Sequence, residues 1–145
     1  MYLLDTTHCI KILSGALTQK LESLDDTLLS TCVTVVGELL YGVYKSDRIE
    51  DNIEAVTELL NDMYNIYEID VETASIYGQL KSGIITRFGP KDKAQRRITT
   101  TDKLGFREND LWIASIAKQH DLIIVSADSD FKRLSLVEDL KIESW

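Results

Sequence analysis

At 145 residues, 44% hydrophobic and 28% charged, the chain has the composition of one globular domain with a real core. One proline and seven glycines exclude low complexity, and no apolar run reaches the roughly 20 residues that span a bilayer. A net charge of −8 argues against a generic binder of polyanions.

Leu3-Leu4 reads as a first strand, closed by Asp5. Thr7 to Ser14 reads as a helix stopped at Gly15, and Ala16 to Leu24 as a second short one. Leu28 to Val33 is the second strand. Val36, Leu39, Leu40 and Val43 then recur at the spacing of a helical stripe, as do Ile49, Ile53, Val56, Leu60 and Met63. Asn65 to Ile69 is a short strand. Ala74, Tyr77, Leu80 and Ile84 mark another helix, ended by the Phe88-Gly89-Pro90 turn. A basic stretch of weak periodicity follows, read as a loop or short helix. Asp110 to Gln119 is helical, Leu122 to Val125 a strand, and Lys141 to Glu143 an edge strand. Strands alternating with helices imply an α/β fold: a central, mainly parallel sheet of about five strands flanked by helices, in a single domain over 1–145. No basic n-region or signal-like core precedes the first strand. Cys9 and Cys32 have neither metal-ligand spacing nor a disulfide framework, so a reducing, cytoplasmic setting is expected.

Charge is unevenly spread. Arg87, Lys91, Lys93, Arg96, Arg97, Lys103 and Arg107 are seven of the sixteen basic residues, interrupted only by the acids Asp92 and Asp102. Such asymmetry implies one localised anion-binding surface on an acidic protein.

The acids are the candidates for chemistry. Asp5 follows the first strand, and Asp128 follows Leu122-Ile123-Ile124-Val125. Ligands of open α/β sheets bind just beyond the carboxyl ends of such strands. Clustered carboxylates there repel and need a cation. Asp110 starts a helix and shares a face with Ile113, Ala114 and Ala117, so it is either an N-cap or an inward carboxylate with a buried partner. Periodicity places Glu38 opposite its helix's apolar stripe, where a solvated glutamate is the plain reading. Asp128 and Asp130 also read as turn residues. Neither His8 nor His120 has a partner by spacing, and His120 suits a structural place at a helix C-terminus.

Four segments occur in order: Tyr2-Leu3-Leu4-Asp5-Thr6, Gly37-Glu38-Leu39-Leu40-Tyr41-Gly42, Asn109-Asp110-Leu111-Trp112-Ile113-Ala114 and Ser126-Ala127-Asp128-Ser129-Asp130-Phe131. Together they resemble the PIN-domain nucleases, specifically the VapC-type toxins of toxin–antitoxin modules, as does the closing Leu140-Lys141-Ile142-Glu143-Ser144-Trp145. The resemblance implies the PIN fold, a ribonuclease dependent on Mg²⁺ or Mn²⁺, a cognate antitoxin and a homodimer. It places metal-site roles on Asp5, Glu38, Asp110 and Asp128, moving Glu38 to the rim of a cleft. Thr6, Ser126 and Asp130 become supporting residues around those acids, with Asp128 preferred to Asp130 as the ligand.

The chain departs from the family pattern at Thr7, where Asn is common, and at Cys32, where Ser or Thr is common. Oxygen-only ligands suit Mg²⁺ or Mn²⁺ and not zinc. The seven basic residues from Arg87 to Arg107 are then expected to contact the RNA backbone. Tyr41 and Tyr44 suit an interface, and Trp112 the core or rim. Two competitors remain. A phosphatase working through an aspartyl-phosphate needs a second Asp two residues after the first, where this chain has Thr7. A catalytically weak module that only binds RNA or antitoxin has no need for all four acids.

Overall fold

A computed structural model describes residues 1–24 and 28–145. Five short strands form one sheet: β1 (Tyr2–Leu4), β2 (Leu29–Cys32), β3 (Asn65–Tyr67), β4 (Ile123–Val125) and β5 (Lys141–Glu143). All four pairings are parallel, in the order β3-β2-β1-β4-β5. The central strands are apolar because both of their faces are covered: Leu3, Leu4, Ile124 and Val125 are fully buried.

The helices are α1 (Thr6–Leu13), α2 (Thr18–Glu22), α3 (Val33–Tyr44), α4 (Ile49–Asn61), α5 (Val71–Phe88), α6 (Lys93–Ile98), α7 (Glu108–Gln119) and α8 (Ser129–Leu134), with a 3₁₀ turn at Asp102–Leu104. The central helix α7 buries Leu111, Ile113, Ala114, Ile116 and Ala117. It packs along α5, where Tyr77 stacks on Trp112 with ring centroids 3.8 Å apart and Lys81 pairs with Glu108 at 2.7 Å. Asp70 starts α5 in a capping box with Thr73. Among the described residues, no helix is long and apolar enough to cross a membrane.

The strand order fixes where a site can lie. From β1 the chain steps outward to β2 and β3, then returns to β4 beside β1 and steps outward the other way to β5. The reversal leaves a crevice between the carboxyl ends of β1 and β4, the place where open parallel sheets bind ligands. Leu4 pairs with Val125, and the Asp5 amide donates to the Val125 carbonyl at 3.3 Å. Asp5 and the Ser126–Asp128 segment therefore leave the sheet side by side.

Several expected bounds shift: α1 runs Thr6–Leu13, α2 is shortened to Thr18–Glu22, and α7 begins at Glu108. β2 spans Leu29–Cys32, and Val33 already belongs to α3. β3 ends at Tyr67, shortly before the Asp70 cap of α5. Asp128 and Asp130, which suit a turn, instead start a helix, α8, whose Phe131 and Leu134 are buried one turn apart.

Candidate metal centre and active site

Asp5 is the N-cap of α1. Its Oδ1 accepts the backbone N–H of His8 at 2.7 Å and lies 2.8 Å from His8 Nδ1. A carboxylate only accepts, so Nδ1 carries the proton, and Nε2 faces the Lys11 ammonium at 3.5 Å. Lys11 also donates to the Trp145 carbonyl at 3.3 Å, and the Trp145 ring packs edge-on to His8. His8, fully buried, thus has a partner after all, three residues back on the same turn. This chain of contacts fixes one oxygen of Asp5. The His120 ring packs against Tyr67 with centroids 4.4 Å apart.

Glu38 is half-buried and is not solvated opposite the core. The inward face of α3 is Val35, Leu39 and Val43, one residue round from the expected stripe, which brings Glu38 to its flank. Glu38 accepts from the Thr6 hydroxyl at one oxygen and from Asn109 Nδ2 at the other, 2.7 Å away. One glutamate thereby joins the start of α1 to the start of α7, next to Asp5 and Asp110.

Asp110 is not an N-cap. Arg107 holds that position, and Asp110 is the third residue of α7, pointing inward with 7% exposure. Burial pushes its pKa up to about 6; Arg107 opposes the rise, while Asp128 and Glu38 add to it. Asp128 caps α8, its Oδ1 accepting the Asp130 amide at 2.9 Å, and its own amide donates to Ser126 Oγ at 3.0 Å. The last helix is tied to the loop before α7 by Arg133. Its guanidinium donates to the carbonyls of Leu104 (2.8 Å) and Gly105 (3.3 Å), pairs with Asp130 at 3.1 Å and lies over Phe106. Gly105 has φ +80, a left-handed turn that favours glycine and lets buried Phe106 point back under Arg133.

The acids converge in two tiers. Among the described residues, Asp110, Asp128 and Asp130 each offer an oxygen within 4.8 Å of the others. Asp5 and Glu38 are not part of that group: Asp5 leaves the sheet beside the Ser126–Asp128 segment, and Glu38 is bonded to Asn109, the residue before Asp110. Such an oxygen-only set has the chemistry to hold a hard divalent cation. A thiol nucleophile is not on offer: burial pushes Cys9 up to about 12 and raises Cys32 as well.

The basic segment divides. Arg87, Lys91, Lys93, Arg97 and Lys103 are exposed, whereas Arg96 is half-buried with its Nε on the Pro90 carbonyl at 3.0 Å. None of the six residues from Arg87 to Lys103 takes part in an ion pair among the described residues. Arg107, grouped with them by sequence, instead reaches inward to Asp110 and Asp128. Asn109 and Arg133 were not singled out by sequence reasoning. Asn109 carried a signal, its place beside Asp110; Arg133 carried none.

This architecture has relatives. Over 99% of this chain and 97% of its own length, Ribonuclease VapC2 of Haemophilus influenzae is 27% identical. A chain in the crystal structure of VapBC2 from Rickettsia felis bound to a promoter DNA fragment superposes with a TM-score of 0.76 at 25% identity, covering 99% of this chain and 98% of that one. A chain of DNA-bound VapBC from Salmonella typhimurium gives 0.78 at 21% identity, covering 99% and 97%, a likeness of fold alone. The family model described as the PIN domain matches residues 2–136, a span that runs from β1 past α8 and contains every acid of the site; the chain belongs to the PIN domain family.

Proposed function

We propose that this chain is a divalent-metal-dependent endoribonuclease and the toxin of a toxin–antitoxin pair. The observation that carries the reading is the gathering of Asp110, Asp128 and Asp130, with Glu38 and Asp5 beside them, at the switch point of a PIN-family sheet. The names of the full-length relatives, a ribonuclease and members of VapBC pairs, support the same activity and the same kind of partner here.

Asp110 and Asp128 would hold the ion, Mg²⁺ or Mn²⁺, with Asp5 and Glu38 completing the site. The bound ion supplies acidification of water and neutralisation of phosphate charge. The chain's own residues do the rest. Glu38 is held by Thr6 and Asn109, so its carboxylate stays aimed between α1 and α7. His8 holds Asp5 by one oxygen. Ser126 fixes the turn that presents Asp128. Preorganised carboxylates of this kind avoid reorganisation during reaction. The test is cleavage of a single-stranded RNA that requires added Mn²⁺ or Mg²⁺ and stops with EDTA.

Asp128 and Asp130 differ in their ties. Asp130 pairs with Arg133, outside the pair of acids that share one guanidinium, whereas Asp128 and Asp110 both face Arg107. Asp128→Asn is therefore expected to lower cleavage by at least about 100-fold, and Asp130→Asn by about 10-fold, the lesser loss typical of a supporting residue. Equal losses in a cleavage assay would make Asp130 a ligand too.

Arg87, Lys91, Lys93, Arg96, Arg97 and Lys103 are the proposed RNA backbone contacts. Replacing Arg96 and Arg97 by Ala should weaken RNA binding and flatten the slope of affinity against salt by roughly one to two units. An unchanged slope in a filter-binding series would remove this segment from the interface.

We propose that the antitoxin lies in the groove between α1, α3 and α4. Ile10, Leu13, Leu39, Val43, Ala55 and Val56 line a space of about 280 Å³, with Glu38 at its edge. Ile10 and Leu13 are 53% and 38% exposed there, an apolar surface suited to a helix. A homodimer is part of the same proposal.

A further inference from the structure

Arg107 holds the position that caps α7, yet its side chain makes no capping bond. It turns across the crevice instead. Its Nε donates to Asp110 Oδ2 at 3.0 Å and its Nη2 pairs with Asp128 Oδ2. Asp110 belongs to α7 and Asp128 to the start of α8, so one guanidinium spans two elements brought together only by the fold. Asp110 and Asp128 are also two of the three residues whose oxygens crowd within 4.8 Å.

We infer that Arg107 is a built-in counter-ion of the cluster, holding Asp110 and Asp128 until a divalent cation displaces it. The inference rests on the metal reading above. Carboxylates this close repel one another, and a cation between them relieves that repulsion. Arginine cannot escape by losing its proton, and its planar fork can engage two carboxylates at once. It therefore sits where a small divalent ion would compete for the same oxygens. The side chain is nonetheless 64% exposed and held by its tip. Water therefore reaches the guanidinium and can take over its N–H groups when a divalent ion replaces it. Arg107 follows the exposed basic segment in the chain. Once released, it extends that segment's positive charge to the edge of the site, where a phosphate would arrive.

Competition has a direction that a merely structural salt bridge lacks. Removing Arg107 should tighten cation binding. Mn²⁺ is the probe, titrated by calorimetry into the full chain, purified free of RNA and partner protein, at about pH 8, where carboxylates are ionised. Arg107→Ala and Arg107→Gln should each bind Mn²⁺ about 10-fold more tightly than wild type. Their unfolding temperatures should rise more on adding Mn²⁺ than that of wild type. Arg107→Gln keeps the length and a hydrogen-bond donor, so it separates loss of charge from loss of packing. Wild-type binding with unchanged or weaker affinity in Arg107→Gln overturns the inference and leaves the metal site standing. No Mn²⁺ binding by wild type or by either variant overturns the metal reading and this inference with it.

Discussion

Asp110→Asn should abolish cleavage and yet make the cation-free protein more stable at neutral pH. The loss of activity, at least about 1000-fold, follows from removing the charge of a proposed metal ligand. The gain follows from burial. Asp110 is 7% exposed, and the cost of desolvation exceeds what Arg107 returns, so its pKa stands near 6 in the fold. In the unfolded chain an Asp titrates near about 4. Below about pH 4 both states hold the proton and the residue costs nothing. As pH rises to about 6 the unfolded chain ionises first, and folding stability falls. Above that pH the full cost is present, about 3 kcal/mol. An uncharged Asn avoids it. Denaturant unfolding with EDTA should therefore show the variant ahead by about that amount at roughly pH 8 and level with wild type near about pH 4. A constant difference across that range would mean that burial of Asp110 does not govern its ionisation.

Asp5 is proposed for the same site, but its removal should have the opposite effect on stability. Its carboxylate caps α1 and takes both the amide and the Nδ1–H of His8, which is fully buried. Asp5→Ala removes a cap, worth about 1 kcal/mol. It also leaves a buried imidazole N–H unpaired, at about 1–3 kcal/mol. A loss near about 3 kcal/mol is expected, read as a lower denaturant midpoint at unchanged slope. Asp5→Asn retains a carbonyl acceptor for both donors and should lose less than about 1 kcal/mol. Both variants should be inactive. Should Asp5→Ala prove as stable as Asp5→Asn, the His8 contact would have no energetic weight.

These two residues show how far the sequence could be read. Strand ends and helix starts follow from local pattern, so Asp5, Asp110 and Asp128 were legible as acids placed at the mouth of a sheet. The apolar runs also foretold β1, β4 and their parallel arrangement. Glu38 was not legible from periodicity. Reading Val36 instead of Val35 as inward turned the helix by one residue and pointed Glu38 at solvent. Family resemblance corrected this where the pattern could not. Helix α8 was not among the expected elements, because Asp128 and Asp130 suit a turn, although Phe131 and Leu134 have helical spacing.

Contacts that join distant parts of the chain were the least visible. Asn109 reaches Glu38 across 71 residues, and Arg133 reaches the Leu104 carbonyl across 29. No local pattern encodes either. The ion pairs of Arg107 were hidden for a related reason. Its place in a run of basic residues suggested an outward role, while its neighbour three positions on, Asp110, draws it inward. His8 is different: its partner is three residues away in the same helix, a spacing that the cap at Asp5 would have made meaningful.

We propose that these acids cleave RNA by holding a metal ion that activates water. The most direct test incubates wild type and Asp110→Asn with the same single-stranded RNA, with Mn²⁺ or with EDTA, and identifies the ends of the products. We expect fragments bearing 5′-phosphate and 3′-hydroxyl ends from wild type with Mn²⁺ only, and none from the variant. Fragments ending in a 2′,3′-cyclic phosphate, formed equally by both proteins in EDTA, would contradict the account.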